Sequence, residues 1–482
     1  MADEVQIRGT FWHPGTDKVA RGQLAIRSDD RPELEVEGFI VDQQSVAKGD
    51  GVLSVSGDPH KVIADYMPRT LHGISEVGEN ITLLEAQGGL KHGFSFDLKQ
   101  IFRCTFVLVG AHLLGDQKFL NVRYSIDGPW SHVLAGDCAN YSELSSGSIA
   151  SYRAEEDPTR TWIEFRFERP LSIRQLENHA LLPCLTLSGV AFRRPLAIRE
   201  SQVRISKAHD WLEFHTNRSG RPKPTRGLGQ RIVPVESATM DRLAQWVDVS
   251  AQSENLVGAV AGLDESAPIE SQLIVISAVA EGIHRRLCES SVAFPELQKY
   301  QLRAVRRAAK GAAVAKMESY GIIDSNRTDL ALDGPLKMIN DTKFRTRLAE
   351  LASSVEEATP ETLLESFDDW PRSVGFMRNK LVHQLEDGAE EERKYDSDIT
   401  VRSEQLFDLM IASVDSLTWL LKIFLLSRAG FPSEVIKEGL VRNSRFEFSV
   451  ANIAHLLRAH PDGVRTKPAD TESQGDESIL HE

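Results

Sequence analysis

Apolar residues recur at every second position in the first part of the chain and at every third or fourth position after about residue 236. The first pattern is typical of antiparallel strands, and clusters of Gly, Asp, Asn and Pro separate its segments between residues 5 and 205. The clearest of these segments are residues 38–41, 80–84, 105–109, 119–124 and 162–167. The pattern predicts a β-rich domain built as a sandwich or a distorted barrel.

The second pattern predicts amphipathic helices. It occupies residues 270–288, 296–320, 338–357, 361–367, 371–386 and 401–428. We therefore expect an α+β protein of two domains, with a β-rich domain over 1–235 and an all-α helical bundle over 236–460. Residues 216–235 are rich in Arg, Pro and Gly and predict an exposed loop or linker, with a phosphate-binding loop as the alternative. Residues 461–482 hold six acidic and two basic residues, and we expect a disordered acidic tail there.

Composition is that of a soluble globular protein. Of the 482 residues, 41% are hydrophobic, and 56 basic against 70 acidic residues give a net charge of −14, so contact with a polyanion requires a local basic patch. The cysteines at positions 104, 138, 184 and 288 show neither metal-ligand spacing nor a disulfide framework, so we expect no metal and no cofactor. No signal peptide is recognised, and the apolar run 417–426 is shorter than the roughly 20 residues of a membrane span. These features predict a cytoplasmic protein without a membrane partner.

The predicted helix 371–386 carries the polar cluster best suited to chemistry. At about 100° per residue, one sector of this helix contains Val374, Met377, Leu381 and Leu385, which should face the core. Arg372, Asn379 and His383 lie on nearly the opposite side, and the long side chain of Arg378 reaches toward His383 from the flank. The polar residues are therefore expected to point away from the core, either as a solvated face or as a site.

The sequence Arg-Asn-Lys-Leu-Val-His at residues 378–383 resembles the Arg-x4-6-His signature of HEPN domains, which are helical bundles common in prokaryotic ribonucleases. Residues 273–287, with Glu281 in their interior, resemble the first long helix of ApeA-like HEPN domains. Residues 38–40 and 78–83 resemble the N-terminal domain that accompanies them. The resemblance implies a bacterial ribonuclease effector of anti-phage defence, which acts as a homodimer or higher homo-oligomer with a site composed at the dimer interface.

Metal-independent RNA cleavage needs a base for the ribose 2′-OH, an acid for the leaving 5′-oxygen and positive charge on the phosphorane-like transition state. His383 can take either protonation state near neutral pH, and Arg378 offers a cationic fork to phosphate oxygens. Asn379, one turn before His383, is a candidate to orient the ring or hold a phosphate oxygen. Glu281 has two open roles, a salt bridge or a catalytic carboxylate. His284, beside Arg285 and Arg286, is expected at the surface, with a second polar cluster as the alternative.

A basic helix is the second candidate for contact with RNA. Between Lys299 and Lys316 the chain has six basic residues and no acidic one. Four of them follow the i, i+4, i+7, i+11 spacing of one helix face and form a stripe: Lys299, Arg303, Arg306 and Lys310. The stripe is interpreted either as a contact for RNA phosphates or as a solvated face that balances acidic neighbours.

The function predicted from these features is a HEPN-type endoribonuclease whose N-terminal domain senses or regulates, with a phage-derived trigger as a partner. The alternative is a non-catalytic HEPN-like module that binds nucleotides or RNA, or that holds a dimer together. Substitution of Arg378 and His383 discriminates between the two.

Overall fold

The computed structural model describes residues 5–27, 30–42, 46–49, 52–55, 58–91, 99–127, 140–153, 161–192, 197–216, 231–263, 266–288, 292–322, 325–383, 399–400, 403–458 and 465–466. The chain divides into two compact units, Met1–Asp248 and Val249–Glu482. The first is β-rich and the second is helical, which confirms the predicted α+β class. Residues 217–230 of the predicted linker and most of the predicted acidic tail lie outside the described residues.

The strands of the first unit alternate inward apolar and outward polar residues as the period of two predicts. They are β1 Val5–Trp12, β2 Val19–Ile26, β3 Glu33–Glu37, β4 Val46–Gly49, β5 Val52–Val55, β6 Arg69–Ser75, β7 Asn80–Lys91, β8 Lys99–Arg103, β9 Phe106–Val109, β10 Lys118–Asp127, β11 Asn140–Leu144, β12 Gly147–Arg153, β13 Thr161–Ser172, β14 Ala197–Arg204 and β15 Leu212–Thr216. Every pairing between these strands is antiparallel.

Six strands close into a barrel in the order β7-β6-β1-β2-β3-β8, and β8 returns to β7. Strand β7 also leaves the barrel, because residues 81–84 pair with β9 and extend the sheet through β15, β14, β10, β13, β12 and β11. The register between β6 and β7 shifts by a β-bulge, and Glu85 of β7 at this bulge takes a positive φ of 53°. The barrel alternative of the sequence prediction is thus the one observed.

Glycines make room for aromatic rings inside this narrow barrel. A Cβ at Gly73 would lie 2.4 Å from Cδ1 of Phe11, and one at Gly88 would lie 2.4 Å from Cε1 of Phe102. Both rings are fully buried in the barrel core. The two glycines therefore let large side chains fill the barrel to the density that interiors require.

Helices also occur in the β-rich unit, where the sequence predicted strands alone. They are α1 Pro59–Asp65 and α2, a continuous segment of residues 173–192 in which Ile173–Leu176 and Leu182–Leu187 alternate with the π-helical turns Glu177–Leu181 and Ser188–Phe192. Near the end of the predicted exposed linker, Ile232 and Val233 are buried. The polar residues around them in the sequence gave no sign of this burial.

The remaining helices are α3 Met240–Gln252, α4 Leu256–Ala261, α5 Ile269–Leu287, α6 Lys299–Ser319, α7 Ser325–Lys337, α8 Phe344–Ser353, α9 Trp370–His383, α10 Ser403–Arg428, α11 Ser433–Val441 and α12 Ser444–Arg458. Residues 361–367 were predicted helical but contain only the 3₁₀ turn Glu361–Leu363. Helix α7 was missed because Gly334 and Pro335 interrupt its pattern. A short antiparallel pair of strands joins Ile399–Thr400 to Arg465–Thr466, and the second of these strands belongs to the predicted tail.

Helix α10 forms the core of the helical unit. It contacts α5, α8, α9, α11 and α12, and its apolar positions from Leu417 to Leu426 are buried. By length and composition the stretch Leu406–Arg428 could cross a membrane, which corrects the sequence estimate that it is too short. Most of that stretch is buried within the protein, as in the core helix of a globular domain, so the predicted buried helix is confirmed.

Candidate active site

Helix α9 holds the predicted motif at a fixed position on the helical core. Asp369 begins the helix, since its Oδ1 accepts the backbone N–H of Arg372 at 2.9 Å. The indole of Trp370 is 3% exposed and donates to Oγ of Ser416 on α10 at 2.8 Å. A capped and anchored first turn fixes the direction of the residues that follow.

The apolar face predicted for α9 is observed. Val374 and Met377 are buried, and Leu381 packs partly against the cluster around Leu273 and Met377. Leu385 lies outside the described residues. Asn379 is exposed, as expected for the polar side of the helix.

Arg378 lies between a carboxylate and an aromatic ring. Its Nη2 donates to Oε2 of Glu281 on α5 at 2.8 Å, and its guanidinium carbon lies 4.6 Å from the centre of the Phe344 ring on α8. The side chain remains 30% exposed. Two fixed contacts orient the guanidinium, while part of it stays accessible to a ligand.

His383 is the last residue of α9, and its side chain lies outside the described part of the chain. Five residues at the helical rise separate it from Arg378 by about 7.5 Å along the axis. The structure thus brings Arg378 and Glu281 together, whereas the relation of the imidazole to either stays a prediction from spacing.

Glu281 is shared by two arginines. Its second oxygen, Oε1, accepts from Nη2 of Arg285 at 2.7 Å, one turn further along α5. The same Nη2 also lies 2.7 Å from Oδ2 of Asp341, just before α8. Because both carboxylate oxygens of Glu281 are engaged, the observed geometry fits an anchor for Arg378 better than a free acid or base.

A buried arginine continues this network. Arg347 on α8 is fully buried, pairs with Asp341, and donates from Nε to the carbonyl of Thr342 at 2.9 Å. Its Nη1 lies 3.0 Å from Nδ1 of His284. We call the connected set Arg378, Glu281, Arg285, Asp341, Arg347, His284 and Glu350 the polar network.

His284 is buried in this network, so its expected surface position is wrong. A guanidinium only donates, so Nδ1 of His284 must accept, and the ring proton resides on Nε2. Nε2 then donates to Oε2 of Glu350 at 2.6 Å. Burial lowers the pKa of His284 and the charge of Arg347 lowers it further, although Glu350 opposes both effects. The residue is held as a neutral imidazole.

The predicted basic stripe is only partly exposed. Nη2 of Arg306 donates to the carbonyl of Lys337 at 2.7 Å, and Nζ of Lys310 lies 3.2 Å from Oδ1 of Asp333, both partners being on α7. Lys299 and Arg303 are exposed. The four residues therefore do not form one solvent-facing row, because half of the stripe faces the neighbouring helix.

The β-rich unit has an aromatic and cationic cluster on its sheet extension. The guanidinium carbon of Arg123 lies 4.5 Å from the Trp162 ring centre and 4.3 Å from that of Trp211. Its Nε donates to Gln202 and its Nη1 to Tyr152, so the group is held by partners within the unit. Within the described ranges, no three His, Cys, Asp or Glu side chains are grouped closely enough to hold a metal ion.

Comparison with protein families gives two matches. The model of ApeA N-terminal domain 1 matches residues 6–133, and the model of Apea-like HEPN matches residues 275–435. The first segment contains the barrel, and the second contains Glu281 on α5 and Arg378 on α9. Searches of curated proteins and of solved structures gave no match. With both domain types present in this order, the chain belongs to the ApeA-like anti-phage defence proteins with a C-terminal HEPN domain.

Proposed function

We propose that this protein is a HEPN endoribonuclease that acts in anti-phage defence in the cytoplasm and cleaves RNA without a metal ion. The observation that carries the proposal is Arg378, which Glu281 and Phe344 hold in place while 30% of it stays exposed. Arg347 of the same network is fully enclosed, whereas Arg378 is not. The partly open guanidinium is suited to a phosphodiester.

In the proposed reaction the ribose 2′-oxygen attacks phosphorus and the bond from phosphorus to the 5′-oxygen breaks. A neutral imidazole of His383 takes the 2′-OH proton, and an imidazolium gives a proton to the leaving 5′-oxygen. The products are a 2′,3′-cyclic phosphate and a 5′-hydroxyl. Arg378 stabilises the additional negative charge on the phosphate oxygens in the transition state. Asn379 is exposed and would hold the imidazole ring of His383 or a phosphate oxygen.

The second proton carrier would come from a second copy of the chain. Each chain offers one His383, whereas simultaneous acid and base catalysis uses two groups. A two-fold axis beside α9 would bring two copies of Arg378 and His383 to one phosphodiester. We therefore propose an active homodimer, which the HEPN family match supports.

Glu281 and the rest of the polar network act in this proposal as positioning residues. Glu281 makes two charged hydrogen bonds, to Arg378 and to Arg285. Both of its carboxylate oxygens are thus occupied by guanidinium groups. Its role is to orient the guanidinium of Arg378 before RNA binds.

The β-rich unit would control the nuclease, because an unregulated cytoplasmic ribonuclease harms its own cell. A phage-derived molecule is the proposed trigger. The alternative function is a HEPN-like module that binds RNA or nucleotides without cleaving them.

The decisive experiment is the double substitution Arg378→Ala and His383→Ala in the full chain, assayed for RNA cleavage and for phage protection. Circular dichroism checks folding, and Arg442→Ala is the matched control, since Arg442 is an exposed arginine directly after α11 and outside the site. We expect the folded double variant to lose both activities and the control to keep them. Protection retained by a variant without cleavage would favour the binding module.

A further inference from the structure

We propose that the outward face of helix α6 is a docking surface for RNA, separate from the position of Arg378. The inference rests on the proposed function in taking RNA as the ligand. It differs from the stripe predicted by sequence, because it uses the side of α6 that faces away from α7. We call this side the outer face; its basic residues are Arg303, Arg307 and Lys316, with Lys299 at the helix start.

Helix α6 is poorly covered by the protein. It has 21 residues, none of them buried, and α7 is its principal neighbour in the described part of the chain. Leu302, Arg306 and Ala309 are half-buried on the side toward α7, whereas Arg303 and Arg307 are exposed. A helix of this length spans about 31 Å. An amphipathic helix normally buries one face in a core, so an exposed helix this long needs another explanation.

The charge of α6 indicates which kind of ligand the outer face would bind. Helix α6 contains six basic residues and one acidic residue, Glu318, in a chain whose net charge is −14. The two acidic residues of α7, Asp329 and Asp333, are balanced by Arg327 and Lys337. The hairpin of α6 and α7 is therefore a local basic body. A second copy of the same helix would be repelled, whereas a polyanion would be attracted.

The shape of the outer face also fits a phosphate backbone. Between its basic edges lie five small residues, Ala304, Ala308, Gly311, Ala312 and Ala315, together with the exposed Tyr300, Gln301, Val305 and Glu318. A Cβ at Gly311 would meet nothing within 4 Å, so no neighbour in the described structure requires glycine there. Glycine inside a helix costs about 1 kcal/mol relative to alanine. Along the stretch of alanine and glycine, phosphates can approach Arg303, Arg307 and Lys316 closely.

The test measures RNA binding apart from cleavage. The full chain with Arg378→Ala and His383→Ala is titrated into a fluorescein-labelled single-stranded RNA of about 20 nucleotides. Fluorescence anisotropy measures the affinity at several salt concentrations. Four phosphate contacts predict a slope of log K against log salt near −2.8, at about 0.7 per contact. Adding Arg303→Glu and Arg307→Glu should reduce the slope to about −1.4 and lower affinity at least about tenfold. The control carries Lys437→Glu on α11 and Arg442→Glu directly after it, which change the net charge equally.

Because no residue of α6 is buried, these substitutions should leave the fold intact, as circular dichroism can verify. Equal losses in the α6 variant and in the α11 control would overturn the proposal, since only overall charge would matter. Unchanged RNA affinity with an altered sedimentation coefficient would also overturn it and would identify the outer face as a contact between proteins. Neither outcome depends on whether the wild-type chain cleaves RNA, so the cleavage proposal is tested independently.

Discussion

Replacing Arg347 by methionine tests whether the polar network stabilises the helical unit. Arg347 is fully buried and interacts with Asp341, with the carbonyl of Thr342 and with Nδ1 of His284. Methionine keeps much of the aliphatic volume but donates nothing. Removing one partner of a buried ion pair costs about 3–5 kcal/mol. Asp341 keeps a contact with Arg285, so we expect the lower end, about 3 kcal/mol of unfolding free energy.

Urea denaturation followed by far-ultraviolet circular dichroism measures this loss, because most helical residues belong to the second unit. The matched control is Arg345→Met on the same helix, where a more exposed arginine pairs with Asp369. Surface pairs contribute less than about 1 kcal/mol, so the control should change stability little. In the Arg347 variant the pKa of His284 should rise, since Arg347 lowers it and Glu350 raises it.

A loss for Arg347→Met no larger than that for Arg345→Met would refute the reasoning. It would mean that the network contributes no more than surface ion pairs do, despite its burial. An unchanged pKa of His284, measured by nuclear magnetic resonance, would further show that the guanidinium does not act on the ring.

Three further predictions concern the barrel, the buried histidine and the anchor of Arg378. Gly73→Ala would force a Cβ against Phe11 and should lower the free energy of unfolding of the β-rich unit by about 1–3 kcal/mol, measured by urea denaturation. The control is Gly89→Ala, whose Cβ would have ordinary contacts. Equal losses in the two variants would contradict the packing argument. The folded state keeps His284 neutral, so the free energy of unfolding should fall as the pH decreases below 6.5, where the unfolded chain takes up the proton first. A free energy of unfolding that does not change between about pH 7.5 and 5.5 would contradict this. Glu281→Gln should lower the RNA cleavage rate without abolishing it, since the guanidinium loses an ionic anchor; complete loss would instead indicate proton transfer by Glu281.

Local patterns were sufficient to predict the fold class. The period of strands and helices depends on neighbouring residues, so the change near residue 236 separated the β-rich from the helical part. Closure of the barrel depends on the pairing of β1 with β6 and of β3 with β8, and on Gly73 facing Phe11, which are contacts between distant segments. No spacing in the sequence encodes them.

The site shows the same division between local and distant information. The helical spacing of α9 predicted the buried Val374 and Met377 correctly, and of the two roles left open for Glu281 the structure shows a salt bridge, which it forms with Arg378. Arg347 and His284 were missed, since charged and polar residues are assigned to the surface unless a partner is known. The i, i+4 spacing of Glu281 and Arg285 was the one local signal of the network.

The basic stripe on α6 was predicted with the correct spacing but with the wrong exposure. The sequence does not reveal which side of α6 faces α7, so Arg306 and Lys310 were grouped with Lys299 and Arg303. In the folded chain the accessible positive charge of α6 therefore lies on the side that carries Arg307.

Incubating the purified chain with total RNA and EDTA, followed by analysis of the cut ends, tests the central claim most directly. Cleavage by Arg378 and His383 needs no metal, so we expect products with 2′,3′-cyclic phosphate and 5′-hydroxyl ends, absent from the Arg378→Ala and His383→Ala double variant. A strict requirement for magnesium, or 3′-hydroxyl and 5′-phosphate ends, would contradict the account.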